Sequence, residues 1–306
     1  MKHLLSMSDV TPAEIERVFA ITADLKAKYA AGLREPMLPG RVMALLFEKP
    51  SLRTRVSFEA GMVNLGGSAM FLGADVGWGN RESVADFGRV LSQYVDVIVC
   101  RAHGHAKVTD LAAHSTCSVI NGLTDYEHPC QALADLYTIR ELVGRFHGQT
   151  LAYVGDCNNV ARSLALGCGK VGLKLAIAAP EEYRFGPEFL ALLKREAPQL
   201  EMHVTDDPAA AVKDAVAVYT DVWTSMGQEA ESAARRKAFA PYQVNEQLMA
   251  AAPQDCFFMH CLPAHRGEEV TDGVIDSPRS VVVQQAGNRM HVQKGLLAYL
   301  LGAKAA

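Results

Sequence analysis

Short apolar runs alternate along the chain with longer segments of helical periodicity. The runs at residues 42–47 and 95–100 are long enough for a buried strand but too short for a helix. Between such runs, apolar residues recur at helical spacing, as at residues 11–31, where Thr11 and Glu14 have the spacing of a capping box. Alternating strands and helices are typical of a mostly parallel sheet with covered faces, so the pattern predicts an α/β protein.

The alternation occurs twice. A helix that begins with Pro129 is followed at residues 144–150 by a polar stretch, after which strands and helices start again. The chain has 306 residues, and two domains of about 150 residues are the natural expectation. We predict two doubly wound parallel-sheet domains, joined by a connecting helix and a returning C-terminal helix. The expected bounds are 1–140 with helix 286–306 for the first domain and 141–285 for the second.

Apolar runs of strand length continue through the second half. The apolar S-V-V-V at residues 280–283 predicts a last strand, followed by an amphipathic helix with Arg289 near its start. The earlier strands of this half are predicted at residues 151–154, 175–179, 201–205, 217–219 and 256–260.

A turn rich in hydroxyl and guanidinium groups follows the first predicted strand. In F-E-K-P-S-L-R-T-R, Pro50 biases Lys49 away from helical geometry and Ser51 stands at an N-cap position, so a helix is expected to begin there. Its first turn carries Arg53, Thr54 and Arg55 together with unsatisfied backbone N–H groups, which favour an anion. Because arginine matches phosphate oxygens bidentately, the turn predicts a phosphate or carboxylate site. The alternative is a capped helix with two solvated arginines.

Polar side chains also follow two later strands of the first half. Arg101 comes directly after V-I-V-C, and His128 and Gln131 lie at the start of the helix in H-P-C-Q. Ligands of open parallel sheets lie at the carboxyl ends of the strands, so these groups can join the same anion site. Alternatively, Arg101 is an ordinary surface charge and His128 only caps its helix.

Two strand ends of the second half carry groups suited to an amino acid. The turn G-D-C-N-N lacks the glycines of a dinucleotide fingerprint, and Asn158 and Asn159 offer amides for a carboxylate or an amino group. In T-D-V-W-T-S-M-G, Asp221 supplies a negative charge suited to an amine, and Trp223 adds an apolar wall. The alternative is a loop with Asp221 as a helix cap.

Cys261 directly follows a predicted strand, which puts its thiol at the mouth of the second sheet. His260, Cys261 and His265 can be read as zinc ligands, but their spacing matches no common zinc pattern, and we predict no metal. The seven cysteines include no C-x-x-C, and several lie in apolar runs. Reduced thiols and a cytoplasmic location are therefore expected.

Charge and composition narrow the class of partner. A net charge of −4 argues against nucleic acid or an anionic membrane as a partner, and 49% hydrophobic residues indicate an ordinary globular protein. No apolar run has the length of a membrane-spanning helix, and the start M-K-H-L-L-S-M-S lacks the apolar core of a signal peptide.

Four sequence motifs, in their order along the chain, resemble those of a known protein family. With S-L-R-T-R, H-P-C-Q, D-V-W-T-S-M-G and H-C-L-P, the chain resembles the aspartate/ornithine carbamoyltransferase family from end to end. The first two motifs mark the whole family, and the last two are typical of its ornithine-specific members.

The resemblance implies roles for the residues at matching positions. The phosphate of carbamoyl phosphate would be held by Ser51, Leu52, Arg53, Thr54 and Arg101. The carbamoyl group and the reacting centre would be contacted by His128, Gln131, Cys261, Leu262 and Arg289. Catalysis would depend on Arg53, Arg101, His128, Cys261 and Arg289. Ornithine would be bound by Asn159, Asp221, Ser225 and Met226.

The resemblance also implies a reaction and an assembly. Carbamoyl phosphate and L-ornithine would give L-citrulline and phosphate without metal or organic cofactor, in a homotrimer with shared active sites and closing domains. Acetylornithine, succinylornithine and putrescine stay open as acceptors, and the direction of the reaction in metabolism is left open. Two readings from other classes are a nicotinamide oxidoreductase and a non-catalytic protein that binds carbamoyl phosphate.

Three positions depart from the family pattern. Leu52 replaces the commoner threonine, and Gly287 stands where the family usually has glutamate. The glycine-rich segment at residues 74–83 predicts an exposed loop and contains Gly77-Trp78-Gly79. Relatives that act on acylated ornithine use a loop tryptophan, whereas D-V-W-T-S-M-G favours free ornithine.

Overall fold

The computed structural model describes residues 1–225 and 229–302, which form two compact units. One unit contains Met1–Ala134 and the chain from Asn288 onward, and the other contains Asp135–Gly287. Each unit has one parallel sheet with helices in its connections, which confirms the predicted α/β class.

The first unit is built on a four-stranded parallel sheet. Its strands are β1 (Val42–Phe47), β2 (Ser68–Leu72), β3 (Val97–Arg101) and β4 (Ser118–Leu123). The helices that follow one another here are α1 (Pro12–Ala30), α2 (Leu52–Asn64), α3 (Val84–Leu91), α4 (His105–His114) and α5 (Pro129–Val143). The strand order β2-β1-β3-β4 places the topological switch point between β1 and β3.

The second unit is built on a five-stranded parallel sheet. Its strands are β5 (Thr150–Val154), β6 (Lys174–Ala178), β7 (Met202–Thr205), β8 (Ala217–Thr220) and β9 (Phe257–His260). Its helices are α6 (Asn159–Val171), α7 (Pro187–Glu196), α8 (Pro208–Val212), α9 (Ser232–Phe239), α10 (Glu246–Ala251) and α11 (Asp272–Ile275). The order β7-β6-β5-β8-β9 places the switch point between β5 and β8.

Local sequence signals mark three of the helix starts correctly. The Thr11 hydroxyl caps α1 in a capping box with Glu14, and the Ser51 hydroxyl caps α2 by accepting from the Thr54 N–H. Pro129 is the first residue of α5. Each cap satisfies backbone donors that no intrahelical partner can reach.

The predicted strand at residues 280–283 is wrong. The last helix, α12, spans Val282–Leu301, and only Ser280 pairs with β9, in an isolated bridge to Phe258. Val282 is buried in the core of the second unit, so packing of one helix face prevails over the strand preference of consecutive valines. Arg289 consequently lies in the interior of α12, about two turns from its start.

No helix within residues 1–225 or 229–302 has both the length and the apolar character that crossing a membrane requires.

Candidate active site

The switch point of the first sheet holds the predicted anion-binding turn. The chain leaves β1 at Phe47 and enters α2 through Ser51, whose Oγ accepts from the Thr54 N–H at 3.3 Å. Arg101 is the last residue of β3, and the register pairs it with Phe47. The turn and Arg101 therefore lie at the same edge of the sheet.

A buried hydrogen-bond network extends from this turn to α5 and α12. The Ser51 hydroxyl donates to Thr54 Oγ1 at 3.1 Å, and Arg289 Nη2 donates to the same oxygen at 3.0 Å. Arg289 Nη1 donates to Gln131 Oε1. Thr54, Gln131 and Arg289 are each no more than 3% exposed, so these bonds are screened little by water.

His128 is buried beside two arginines. Burial lowers the pKa of His128 well below its ordinary value of 6.5, and the charges of Arg289 and Arg101 lower it further. The imidazole is therefore neutral at neutral pH and can donate one hydrogen bond to a polarised carbonyl. Because the charges of both arginines act on His128, the side chains of Arg101, His128 and Arg289 lie close together.

Two arginines of the α2 turn behave differently. Arg53 is half-buried and makes no hydrogen bond or ion pair with the residues that the structure describes, so it is available to an anion. Arg55, by contrast, pairs with Glu59 at 3.0 Å and stacks over the Phe71 ring at 4.0 Å. Arg55 is thus already engaged by Glu59 and Phe71, and Arg53 is the arginine of this turn that the resemblance assigns to the phosphate. Leu52 has a 76% exposed side chain and offers only its backbone N–H.

The switch point of the second sheet holds a buried carboxylate. Asp221 follows β8 and Asn158 follows β5, two neighbouring parallel strands. Asp221 is 6% exposed; its Oδ2 accepts from Asn158 Nδ2 at 2.8 Å and its Oδ1 from Cys261 Sγ at 3.0 Å. A carboxylate so removed from water strongly favours a nearby cation such as an amine.

The turn after β9 fixes the backbone around Cys261. The Nδ1 atom of His260 accepts from the Leu262 N–H at 2.8 Å, and its Nε2 lies 3.2 Å from Glu269 Oε1. Leu262 adopts a left-handed conformation with φ +57°. The structure does not bring together the three residues of the zinc reading, because His260 and Cys261 lie within 4.8 Å of Asp221 whereas His265 lies in a separate group with Glu268 and Glu269.

Two of the three other predicted acceptor-binding residues lie in the part of the chain that the structure describes. Asn159 is partly buried at the start of α6, and its Oδ1 accepts from the Val160 N–H at 3.0 Å. Ser225 is partly buried after β8, in the loop that starts at Asp221. Met226 lies outside the described residues.

Comparisons with known proteins cover both units. The carbamoyl-P binding domain of aspartate/ornithine carbamoyltransferases matches residues 2–141, and the Asp/Orn binding domain of the same family matches residues 147–300. The chain belongs to this family. Among its curated relatives, the ornithine carbamoyltransferase of Anoxybacillus flavithermus is 52% identical over 98% of this chain and 96% of its own length. That of Bacillus subtilis is 51% identical over 98% and 94%.

Solved structures of the carbamoyltransferase family have the same fold. The ornithine carbamoyltransferase from Pyrococcus furiosus superposes with a TM-score of 0.94 at 48% identity and covers 98% of this chain and 97% of that chain. The Thermus thermophilus enzyme superposes with a TM-score of 0.89 at 40% identity, with 98% and 99% covered.

One departure from the carbamoyltransferase pattern is explained by burial. Trp78 is only 2% exposed and belongs to the core of the first unit, with the Phe87 ring 6.2 Å away. The Lys107 ammonium lies 4.0 Å above the indole ring and also pairs with Glu48. The expectation of an exposed loop is therefore wrong for Trp78, whose side chain holds the loop to the sheet. A second departure, Gly287, has open space where a side chain would stand.

Several residues that support the site in this carbamoyltransferase fold were not predicted from the sequence. Arg235 is buried on α9, pairs with Asp156 and donates to the Trp223 carbonyl at 2.5 Å, which fixes the loop after Asp221. Burial raises the pKa of Asp156 to about 6 despite this arginine. Gln285 joins the His260 N–H to Asp135. Periodicity gives no signal for such pairs, because their members are far apart in sequence.

Proposed function

We propose that this chain transfers the carbamoyl group of carbamoyl phosphate to the δ-amine of L-ornithine, with L-citrulline and phosphate as products. The observation that carries the proposal is the buried Asp221 carboxylate, held by Asn158 and Cys261 in the unit that matches the amino-acid-binding domain. A buried carboxylate suits an amine substrate. Relatives at about 50% identity, named ornithine carbamoyltransferase, support the same acceptor.

The first unit supplies the groups that a carbamoyl phosphate site needs. Arg53 and Arg101, with the Ser51 and Thr54 hydroxyls and the backbone N–H of Leu52, are proposed to bind the phosphate oxygens. His128, Gln131 and Arg289 are proposed to contact the carbamoyl group. Because His128 is neutral, it donates to the carbonyl oxygen without adding a full charge near the arginines.

The second unit is proposed to bind the acceptor, ornithine. Asn159, Asp221, Ser225 and Met226 are proposed to bind the α-amino and α-carboxylate groups of ornithine. Cys261 and Leu262 are proposed to contact the reacting centre, since they follow β9 beside Asp221. The Cys261 thiol donates to the carboxylate, so it serves in positioning rather than as a nucleophile.

The proposed chemistry is a direct attack of the amine on the carbamoyl carbon through a tetrahedral oxyanion. The lone pair of the neutral δ-amine forms a C–N bond to the carbamoyl carbon, and negative charge grows on the carbonyl oxygen. The C–O bond to phosphate then breaks with its electron pair staying on the departing phosphate, and the proton lost by the nitrogen passes to a phosphate oxygen. Each hydrogen-bond donor aimed at the growing charge lowers the activation barrier by about 3–4 kcal/mol. Holding both substrates in reacting geometry lowers it by about 7–11 kcal/mol more.

An acceptor panel tests the proposal. Phosphate release from carbamoyl phosphate is measured with ornithine, acetylornithine, succinylornithine, putrescine and aspartate at equal concentration. Phosphate release with ornithine is expected to be about 100-fold or more faster than with any other acceptor. An acceptor without a free α-amino group leaves the buried Asp221 carboxylate unpaired. Faster turnover with an acylated ornithine, or none with any amine, would contradict the proposed acceptor.

We further propose a homotrimer in the cytoplasm that acts in arginine biosynthesis. The support is the family resemblance and a Pyrococcus furiosus relative, 48% identical, that is named an anabolic ornithine carbamoyltransferase. Light scattering coupled to size exclusion tests the assembly, and a mass other than a multiple of three chains would contradict it.

A further inference from the structure

A fully buried carboxylate precedes His128 in the chain. Glu127 is 0% exposed, and both of its oxygens accept hydrogen bonds from residues about 120 positions earlier in sequence. Glu127 Oε1 accepts from the Ser6 hydroxyl at 2.5 Å, and Oε2 accepts from the Met7 N–H at 2.9 Å. A buried carboxylate is tolerated only with such donors, so this contact is strongly constrained.

The segment that supplies these donors, residues 3–9, is itself fixed to β4. The Leu4 N–H donates to the Val119 carbonyl at 2.9 Å, and the Asn121 N–H donates to the Leu4 carbonyl at 2.7 Å. The Asn121 side chain donates to the Leu5 carbonyl at 2.8 Å. Leu4 and Met7 are fully buried. The segment therefore behaves as an extension of the sheet and gives Glu127 a rigid partner.

The backbone of Glu127 is held as firmly as its side chain. Its N–H donates to Thr124 Oγ1 at 3.3 Å, and its carbonyl accepts from the Thr124 N–H at 3.1 Å. One residue later, the His128 carbonyl accepts from the Gln131 N–H at 3.1 Å as α5 begins. The direction in which His128 leaves the turn is thus set at Glu127.

We propose that Glu127, anchored by Ser6 and Met7, is a positioning residue for His128, and that residues 3–9 support the carbamoyl phosphate site without touching substrate. This inference rests on the proposed function for the identity of the ligand. A change at Ser6 is expected to act on carbamoyl phosphate and not on ornithine, because all of these contacts lie in the first unit.

The test compares two variants that break the same cap. Ser6 and Asp9 form a capping box at the short helical turn Met7–Asp9, but only Ser6 also donates to Glu127. Ser6→Ala is expected to raise KM for carbamoyl phosphate about tenfold, since a charged hydrogen-bond partner is lost, and to leave KM for ornithine within about twofold. Asp9→Ala is expected to leave both constants within about twofold, and Ser6→Thr, which keeps the hydroxyl, to restore the wild-type value.

A second measurement separates this inference from the proposed function. Histidine-labelled protein without substrate is examined by NMR, and the His128 ring signals are expected to shift in Ser6→Ala but not in Asp9→Ala. Should wild type bind no carbamoyl phosphate, the proposed function fails and the ring signals alone decide the role of Glu127. Unmoved ring signals, or a lower Tm with unchanged KM, overturn the inference. Glu127→Gln gives the same readouts if Ser6→Ala does not fold.

Discussion

At the scale of single residues, partners decide what each candidate side chain can do. Arg289 is held between Thr54 and Gln131, while Arg55 is turned toward Glu59 and Phe71. Both lie near the carboxyl end of β1, although Arg55 belongs to α2 and Arg289 to α12. Their surroundings separate them, since one is buried in the network and the other lies in a surface pair of small energetic value.

The buried His128 makes stability depend on pH in a defined direction. Its pKa in the folded protein lies well below 6.5, so below about pH 6.5 the unfolded chain binds a proton that the folded chain does not. Stability is therefore lost as pH falls through this range, by up to about 1.4 kcal/mol per pH unit for this group. Urea unfolding of wild type and His128→Gln at about pH 7.5 and 5.5 measures the loss.

His128→Gln is expected to lose less stability on acidification than wild type. His3 and His105, whose pKa values are also lowered by burial, stay in both proteins, so their contributions cancel in the comparison. Equal losses in the two proteins would show that His128 takes up a proton in the fold as readily as in the unfolded chain.

At the scale of elements, the helices with local start signals were predictable, whereas the start of the last helix and the burial of the loop at residues 74–83 were not. Thr11, Ser51 and Pro129 act on backbone groups within a turn of their own positions, so their signals can be read locally. The valines at residues 281–283 and the glycine-rich loop at 74–83 have no such signal, and packing against the rest of their unit decides their form.

Trp78→Leu tests the structural role of the loop tryptophan. Because the indole is buried under Lys107 and beside Phe87, the change is expected to destabilise the protein by about 2–4 kcal/mol. The preference for ornithine over acetylornithine is expected to stay unchanged. Urea unfolding and the two acceptor assays measure both effects.

Tyr94→Leu is the matched control, since Tyr94 is 72% exposed in the same unit and its loss is expected to change stability by less than about 0.5 kcal/mol. A shift of Trp78→Leu toward or away from acetylornithine would mean that the ring contacts the acceptor.

At the scale of the whole molecule, the two units are expected to bind different ligands. Arg53→Ala should weaken carbamoyl phosphate binding by about 100-fold, because the loss removes a charge-assisted contact that no other residue replaces. Asp221→Asn should weaken ornithine binding comparably and leave carbamoyl phosphate affinity within about twofold, since the proposed phosphate ligands all belong to the other unit. Calorimetric titration of each ligand into each variant measures the four affinities. Loss of both ligands in either variant would contradict this division of labour.

The sequence by itself determined the α/β class, the strand ends that carry polar residues and the family, because apolar periodicity, capping residues and motifs are local properties of the chain. It did not determine which polar residues meet. The network of Ser51, Thr54, Gln131 and Arg289, the contact of Asp221 with Cys261, and the support of Glu127 by Ser6 join residues far apart in sequence. Only the tertiary structure decides these, because a buried polar group takes whichever partner the packed fold brings within hydrogen-bond distance.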